Sequence, residues 1–200
     1  MNYTKTDDKL EDIKQNILLA AEAFGKTRAD VVFGEGDTSA KVMLIGEAPG
    51  AEETRLSRPF VGQAGKNLDE FLRVLGLSRE EIYITNVVKF RPYKVSTKGT
   101  LSNRPPKAAE TAGMLPCLLR EIEAVAPKVV VTLGNVPLRC IAGKSAVIGG
   151  CHASALFASA LSHEFTLFPL YHPASIIYNR SLKDVYAEDL IKLKVYINSI

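Results

Sequence analysis

The stretch Val42-Met43-Leu44-Ile45-Gly46-Glu47-Ala48-Pro49-Gly50 decides the fold. A short, continuous apolar run feeds a Gly/Pro-rich turn that carries an acid. A run of this length and branching reads as a strand buried on both faces, taken here as Lys41 to Ile45. Three similar runs follow, at Ile82 to Val88, Lys128 to Leu133 and Thr166 to Leu170. Helical patterns separate them. Leu10 to Phe24 places Ile13, Ile17, Leu18, Ala21 and Phe24 at helical spacing before Gly25. Gly65 to Leu75 repeats Leu68, Phe71, Leu72 and Leu75 and stops at Gly76. Pro106 to Val125 opens on two prolines, and Pro137 to Ala142 and Asp184 to Ile197 complete the set. Buried strands alternating with helices predict an α/β chain folded as a three-layer α/β/α sandwich, with right-handed crossovers. Tyr93 to Asn103, with Lys94, Lys98 and Gly99, is expected to be a loose polar loop. A turn after a strand of such a sheet exposes its residues in the crevice at the carboxyl edge, where ligands bind.

Composition sets the bounds. At 46% hydrophobic, 200 residues make one well-buried domain, expected over 1–200. A net charge of +3 permits nucleic-acid binding without demonstrating it. No apolar run approaches the roughly 20 residues that span a bilayer, and Met1 to Leu10 is no signal segment, so a cytoplasmic protein is expected. Cys117, Cys140 and Cys151 are widely spaced and form no C-x-x-C pair, which predicts reduced structural thiols rather than disulfides or a zinc site.

Five motifs occur in order. They are Gly46-Glu47-Ala48-Pro49-Gly50 with Glu53; Pro59-Phe60-Val61-Gly62 with Ala64-Gly65; Tyr83-Ile84-Thr85-Asn86-Val87-Val88-Lys89; Asn103-Arg104-Pro105; and His172-Pro173. Val32-Phe33-Gly34-Glu35-Gly36 fits the same pattern. Together they resemble the family 4 uracil-DNA glycosylases over roughly residues 10 to 195. The resemblance implies a central four-stranded parallel sheet and excision of uracil from DNA, leaving an abasic site. One departure is large. Members of that family hold an iron–sulfur cluster on four cysteines, and the corresponding positions here fall near Leu19 and Glu22, at Phe90, and near Met114. None is cysteine, and Cys117, one helical turn from Met114, supplies a single thiolate where four are needed. No cluster is expected, with Phe90, Met114 and Leu19 packing in its place.

The residues can be read against that chemistry. Cleaving a glycosidic bond requires the nucleotide to leave the stack and its base to enter a pocket. Phe60 is the stacking platform, a contact worth about 1–3 kcal/mol whatever the base. Asn86 offers an amide oxygen to uracil N3–H and an amide nitrogen to O4, and cytosine presents the reverse pattern. His172 is placed to donate to O2 as negative charge develops there, with Pro173 restraining its backbone. His152 and His163 lack such a setting and read as structural. Glu53 and Glu47 are the candidate carboxylates, since Ala48 stands where some related glycosylases place a water-activating aspartate. Glu53 could position water or exclude thymine's methyl, and Glu47 could equally orient the turn by accepting backbone N–H bonds. Gly46 and Ala48 complete the base site.

The DNA grip is expected from backbone amides between Gly62 and Gly65 at a helix start. Lys66, Lys89, Arg91, Arg104 and Arg180 are candidate phosphate contacts. The segment from Ser175 through Ile176 and Ile177 to Arg180 resembles a wedge that fills the space of a flipped base. A monomer suffices for this chemistry. Two other readings compete: a glycosylase of the same fold with another base preference, and a non-catalytic lesion or single-strand binding module. Retention of Phe60, Asn86, Glu53 and His172 together weighs against pure binding.

Overall fold

The computed structural model describes residues 5–175 and 181–200. In chain order, helix α1 is Lys5–Glu22, strand β1 is Glu35–Gly36 and β2 is Val42–Gly46. Helices α2 (Ala51–Leu56) and α3 (Gln63–Leu75) lead to β3 (Tyr83–Asn86) and to two short strands, β4 (Tyr93–Val95) and β5 (Leu101–Asn103). Then come α4 (Ala108–Val125), β6 (Val129–Leu133), α5 (Asn135–Ala142), α6 (Ile148–Cys151), β7 (Leu156–Ala160), β8 (His163–Leu170) and α7 (Leu182–Ile197).

Side-chain alternation along the strands builds three layers. In β2, Val42 and Leu44 face one side of the sheet and Met43 and Ile45 the other. The first side packs on Leu68, Phe71, Leu72 and Leu75 of α3 and on Tyr186, Leu190 and Leu193 of α7. The second packs on Leu10, Ile13, Ile17 and Ala21 of α1 and on Met114, Leu118 and Ile122 of α4. Every residue of β2 and β6 is buried, as a strand covered on both faces must be.

The sheet has six strands in the order β1-β3-β2-β6-β8-β7. The expected four parallel strands are its centre, β3-β2-β6-β8. Two antiparallel edges extend it: β1 on β3, and β7 on β8. From β2 the chain crosses to β3 on one side and then returns past β2 to β6 on the other. That reversal opens a crevice at the carboxyl ends of the central strands.

The segment expected to be a loose loop is instead a hairpin, in which β4 pairs antiparallel with β5 and Lys94 stands opposite Ser102. Among the described residues, no helix is long and apolar enough to cross a membrane.

Candidate active site

The motif residues meet in that crevice. Gly46 and Asn86 end adjacent strands in register, β2 against β3. Gly46 leaves room for both side chains: a Cβ there would lie 2.4 Å from both Asn86 Oδ1 and Phe60 Cζ. The amide of Asn86 and the ring of Phe60 therefore converge over one backbone atom. Asn86 is buried, and its amide makes no hydrogen bond among the described residues.

Phe60 holds a left-handed backbone, φ 52°, uncommon for a bulky side chain. Its surroundings impose it. Arg79 donates to the Phe60 carbonyl at 2.5 Å and to that of Pro59 at 3.4 Å, while pairing with Asp69 at 2.7 Å. Gly65, opening α3, lets the Phe60 carbonyl approach to where a Cβ would stand only 1.9 Å away.

His172 follows β8 by two residues and faces the Phe60 ring, with centroids 6.3 Å apart and planes inclined by 25°. The Ala174 N–H donates to His172 Nδ1 at 3.1 Å. Nδ1 is thus an acceptor, and in the neutral ring the proton sits on Nε2. Burial lowers the pKa of this histidine, favouring that neutral form. The turn is tied down by Ser175 N–H to the His172 carbonyl (2.8 Å) and by the Asn67 amide to the Pro173 carbonyl (3.1 Å).

The two acids differ sharply. Glu53 accepts from the N–H of Gly50 (3.0 Å), Val61 (3.1 Å) and Gly62 (2.6 Å), so both oxygens are engaged in joining the start of α2 to the Phe60 loop. It lines the cavity, but its carboxylate organises backbone. The backbone-orienting part suggested for Glu47 thus falls to Glu53. Glu47 is half-buried, its carboxylate makes no hydrogen bond among the described residues, and burial pushes its pKa up.

Ala48, Glu53, Phe60, Gly62, Asn86 and His172 line a cavity of about 410 Å³. An adjoining hollow takes in Glu47 and Arg104 and shares Ala48, Asn103, His172 and Ala174 with the first. Asn103, to which no chemistry was given from sequence, stands between the two. A larger hollow of about 510 Å³ between α3 and α7 is mostly apolar and contains none of Glu47, Glu53, Phe60, Asn86 and His172.

The cation expectations divide. Lys89 is corrected: it is fully buried, bonded to Thr85 at 2.5 Å and ion-paired with Glu121, and cannot reach a phosphate. Arg104 forms a fork with Glu110 at 2.6 and 2.7 Å and donates to the Tyr93 carbonyl, so it braces the hairpin. Lys66 is exposed. Arg91 donates to Asn103 Oδ1 at 2.7 Å. Ile176, Ile177 and Arg180 lie outside the described residues. His152 pairs with Asp189 and His163 with the Pro127 carbonyl, in structural roles.

The positions that would carry an iron–sulfur cluster do not fit one. Phe90 and Met114 are fully buried in the core, with Phe24 against Phe90 at 5.5 Å between centroids. Leu19 is corrected: it is 65% exposed and packs into nothing there, and Phe24 takes the place expected of it. Among the described residues, no group of three or more His, Cys, Asp or Glu could hold a metal ion.

An α/β/α sheet thus gathers an amide, an aromatic, a neutral imidazole and a carboxylate at its carboxyl edge. The family of the chain follows from its relatives. Residues 33–194 match the model of the uracil DNA glycosylase superfamily. A type-4 uracil-DNA glycosylase of Sulfurisphaera tokodaii is 36% identical over 196 residues, covering 94% of this chain and 84% of its own. One from Thermotoga maritima is 38% identical over 173 residues, covering 85% and 84%. The crystal structure of Pedobacter heparinus SMUG2 superposes with a TM-score of 0.57 at 13% identity, covering 81% of this chain and 77% of that one, a likeness of fold. The chain belongs to the uracil-DNA glycosylase superfamily and, within it, groups with the type-4 family.

Proposed function

We propose that this chain hydrolyses the N-glycosidic bond of uracil in DNA, releasing the free base and leaving an abasic site. The observation that carries the reading is the convergence of Asn86 and Phe60 over Gly46, beside a histidine whose Nε2–H is free to donate. The flipped base lies on Phe60, and the Asn86 amide meets uracil N3–H and O4. As the C1′–N1 bond breaks, its electron pair passes into the ring and charge gathers on O2. His172 Nε2–H stabilises that charge by a hydrogen bond preorganised in a water-poor site. Glu47 orients water toward the cationic sugar carbon and takes its proton. The hydroxyl ends on C1′, and the proton returns to the departing uracil through solvent.

The substrate partner is uracil-containing DNA. One copy of the chain supplies every residue named, so a monomer suffices, and a cytoplasmic setting is consistent with this role. The packing of Phe24, Phe90 and Met114 supports an enzyme that folds and acts without an iron–sulfur cluster.

Single-turnover cleavage of a labelled oligonucleotide bearing one uracil, with thymine and hypoxanthine controls and alkali to break abasic sites, tests the reading. Uracil-specific breaks slowed in His172→Ala and Asn86→Ala are expected, from a preparation whose iron is measured and found far below one cluster per chain. Tight DNA binding without breaks at any base overturns it in favour of a binding module.

A further inference from the structure

The β4–β5 hairpin is left without a role by the base site, yet it adjoins the cavity mouth. Asn103 ends β5, pairs with Tyr93 and lines the cavity. Every residue of the hairpin's strands is exposed, including Val95 at 60% and Leu101 at 49%. A two-stranded ribbon with water on both faces has little of its own to hold it. Here the base is braced instead. Arg104 donates through its backbone N–H to the Pro92 carbonyl at 3.2 Å and through Nε to the Tyr93 carbonyl at 3.1 Å. Lys26 sits 4.6 Å from the centroid of the Tyr93 ring. The tip is closed by Ser96 and Thr100, which exchange a backbone bond and a hydroxyl bond.

The charge is one-sided. No carboxylate occurs between Glu81 and Glu110. Of the six cations in that span, Lys89 is buried, Arg104 is paired and Arg91 bonds Asn103; Lys107 lies at the start of α4, and on the hairpin itself Lys94 and Lys98 stand exposed with no carboxylate partner among the described residues. Ser96, Thr97, Thr100 and Ser102 surround them with hydroxyls, neutral donors that also suit phosphate oxygens. At about 3.3 Å per residue, the tip reaches roughly 10 Å beyond Asn103. That spans about three base steps at about 3.4 Å each along one strand.

We propose that this hairpin is a DNA-gripping arm, whose Lys94 and Lys98 engage phosphates of the substrate backbone flanking the nucleotide held in the cavity. The inference rests on the uracil-excision reading for the placement of the DNA. A protein partner is less well matched, because the exposed apolar area is two aliphatic side chains and the remainder is cations and hydroxyls.

The test compares the full chain with the double variant Lys94→Ala/Lys98→Ala. Binding to an undamaged labelled duplex is followed by anisotropy between about 50 and 200 mM salt, where each lost phosphate contact lowers the slope of log K on log salt by about one. The expected result is a slope shallower by about two, with a thermal melt unchanged. An unaltered slope, including one accompanied by capture of a protein partner through the hairpin, overturns the arm. Excision by the parent chain with an unaltered slope sinks the arm alone. A shallower slope in a chain that excises nothing sustains the arm and sinks the excision reading.

Discussion

At the scale of single residues, the two motif acids separate by what their oxygens touch. Glu53 is saturated by three backbone N–H donors, and Glu47 by none among the described residues. Glu53→Gln places an amide nitrogen against N–H groups and leaves donors unsatisfied, at about 1–3 kcal/mol. Thermal melting should fall by several degrees. Glu47→Gln should leave the melt alone and slow single-turnover excision by about 100-fold or more, the usual range for a lost general base. Loss of activity in Glu53→Gln at full stability, with Glu47→Gln unaffected, would reverse the assignment. The acid limb of the pH profile follows from Glu47 and His172. Glu47 must be ionised, and burial raises it above its ordinary 4.5; His172 must be neutral, and burial lowers it below its ordinary 6.5. Activity should therefore be lost on the acid side, with the Glu47 limb above pH 4.5 and the His172 limb below pH 6.5. A single-turnover profile flat from pH 7 to 4.5 would contradict the part given to Glu47. That Asn86, Phe60 and His172 meet in one cavity was legible in the motifs. The duty of Glu53 was not, because its partners Val61 and Gly62 lie eight and nine residues onward and meet it only through the fold of the loop. Lys89 misled for a similar reason: its partner Glu121 is 32 residues away, and nothing local marks a lysine for burial.

At the scale of elements, the central strands and the long helices were readable because each carries a full apolar period. The edges were not. β1 has two residues and β7 alternates half-buried with exposed ones, so neither presents a continuous run. The hairpin hid in a polar, glycine-containing segment whose ladder is three residues long on each side. What these elements achieve together is a junction at Gly46, where the end of β2 meets the end of β3 and the Phe60 loop. Gly46→Ala tests the junction. Its methyl would press on the far ends of Asn86 and Phe60, which can swing into the cavity, so the fold should survive with a melt within a few degrees. The base site should not. A fall in kcat/KM of about 100-fold, or ~2.7 kcal/mol of transition-state stabilisation, is expected. Wild-type kinetics in this variant would mean that the base is bound elsewhere.

At the scale of the whole molecule, the sheet and the α4 layer are joined by a buried polar knot. Lys89, just past β3, pairs with Glu121 of α4, and Thr85 and Tyr83 hydrogen-bond the same carboxylate. Burial of such a pair is costly for each ion alone and tolerable only when both are present and satisfied. The knot sits one residue from Phe90, itself packed on Phe24, so apolar and ionic contacts hold α1, α4 and the end of β3 as one body. Replacing one partner should therefore hurt more than replacing both. Lys89→Met strands a buried carboxylate and should cost about 3–5 kcal/mol, which in a chain of this size lowers the melting temperature by about 10 °C. The double variant Lys89→Met/Glu121→Leu removes both charges and should recover much of that loss. Losses that simply add across the two sites would show that the pair is not coupled and that the layers are held by packing alone.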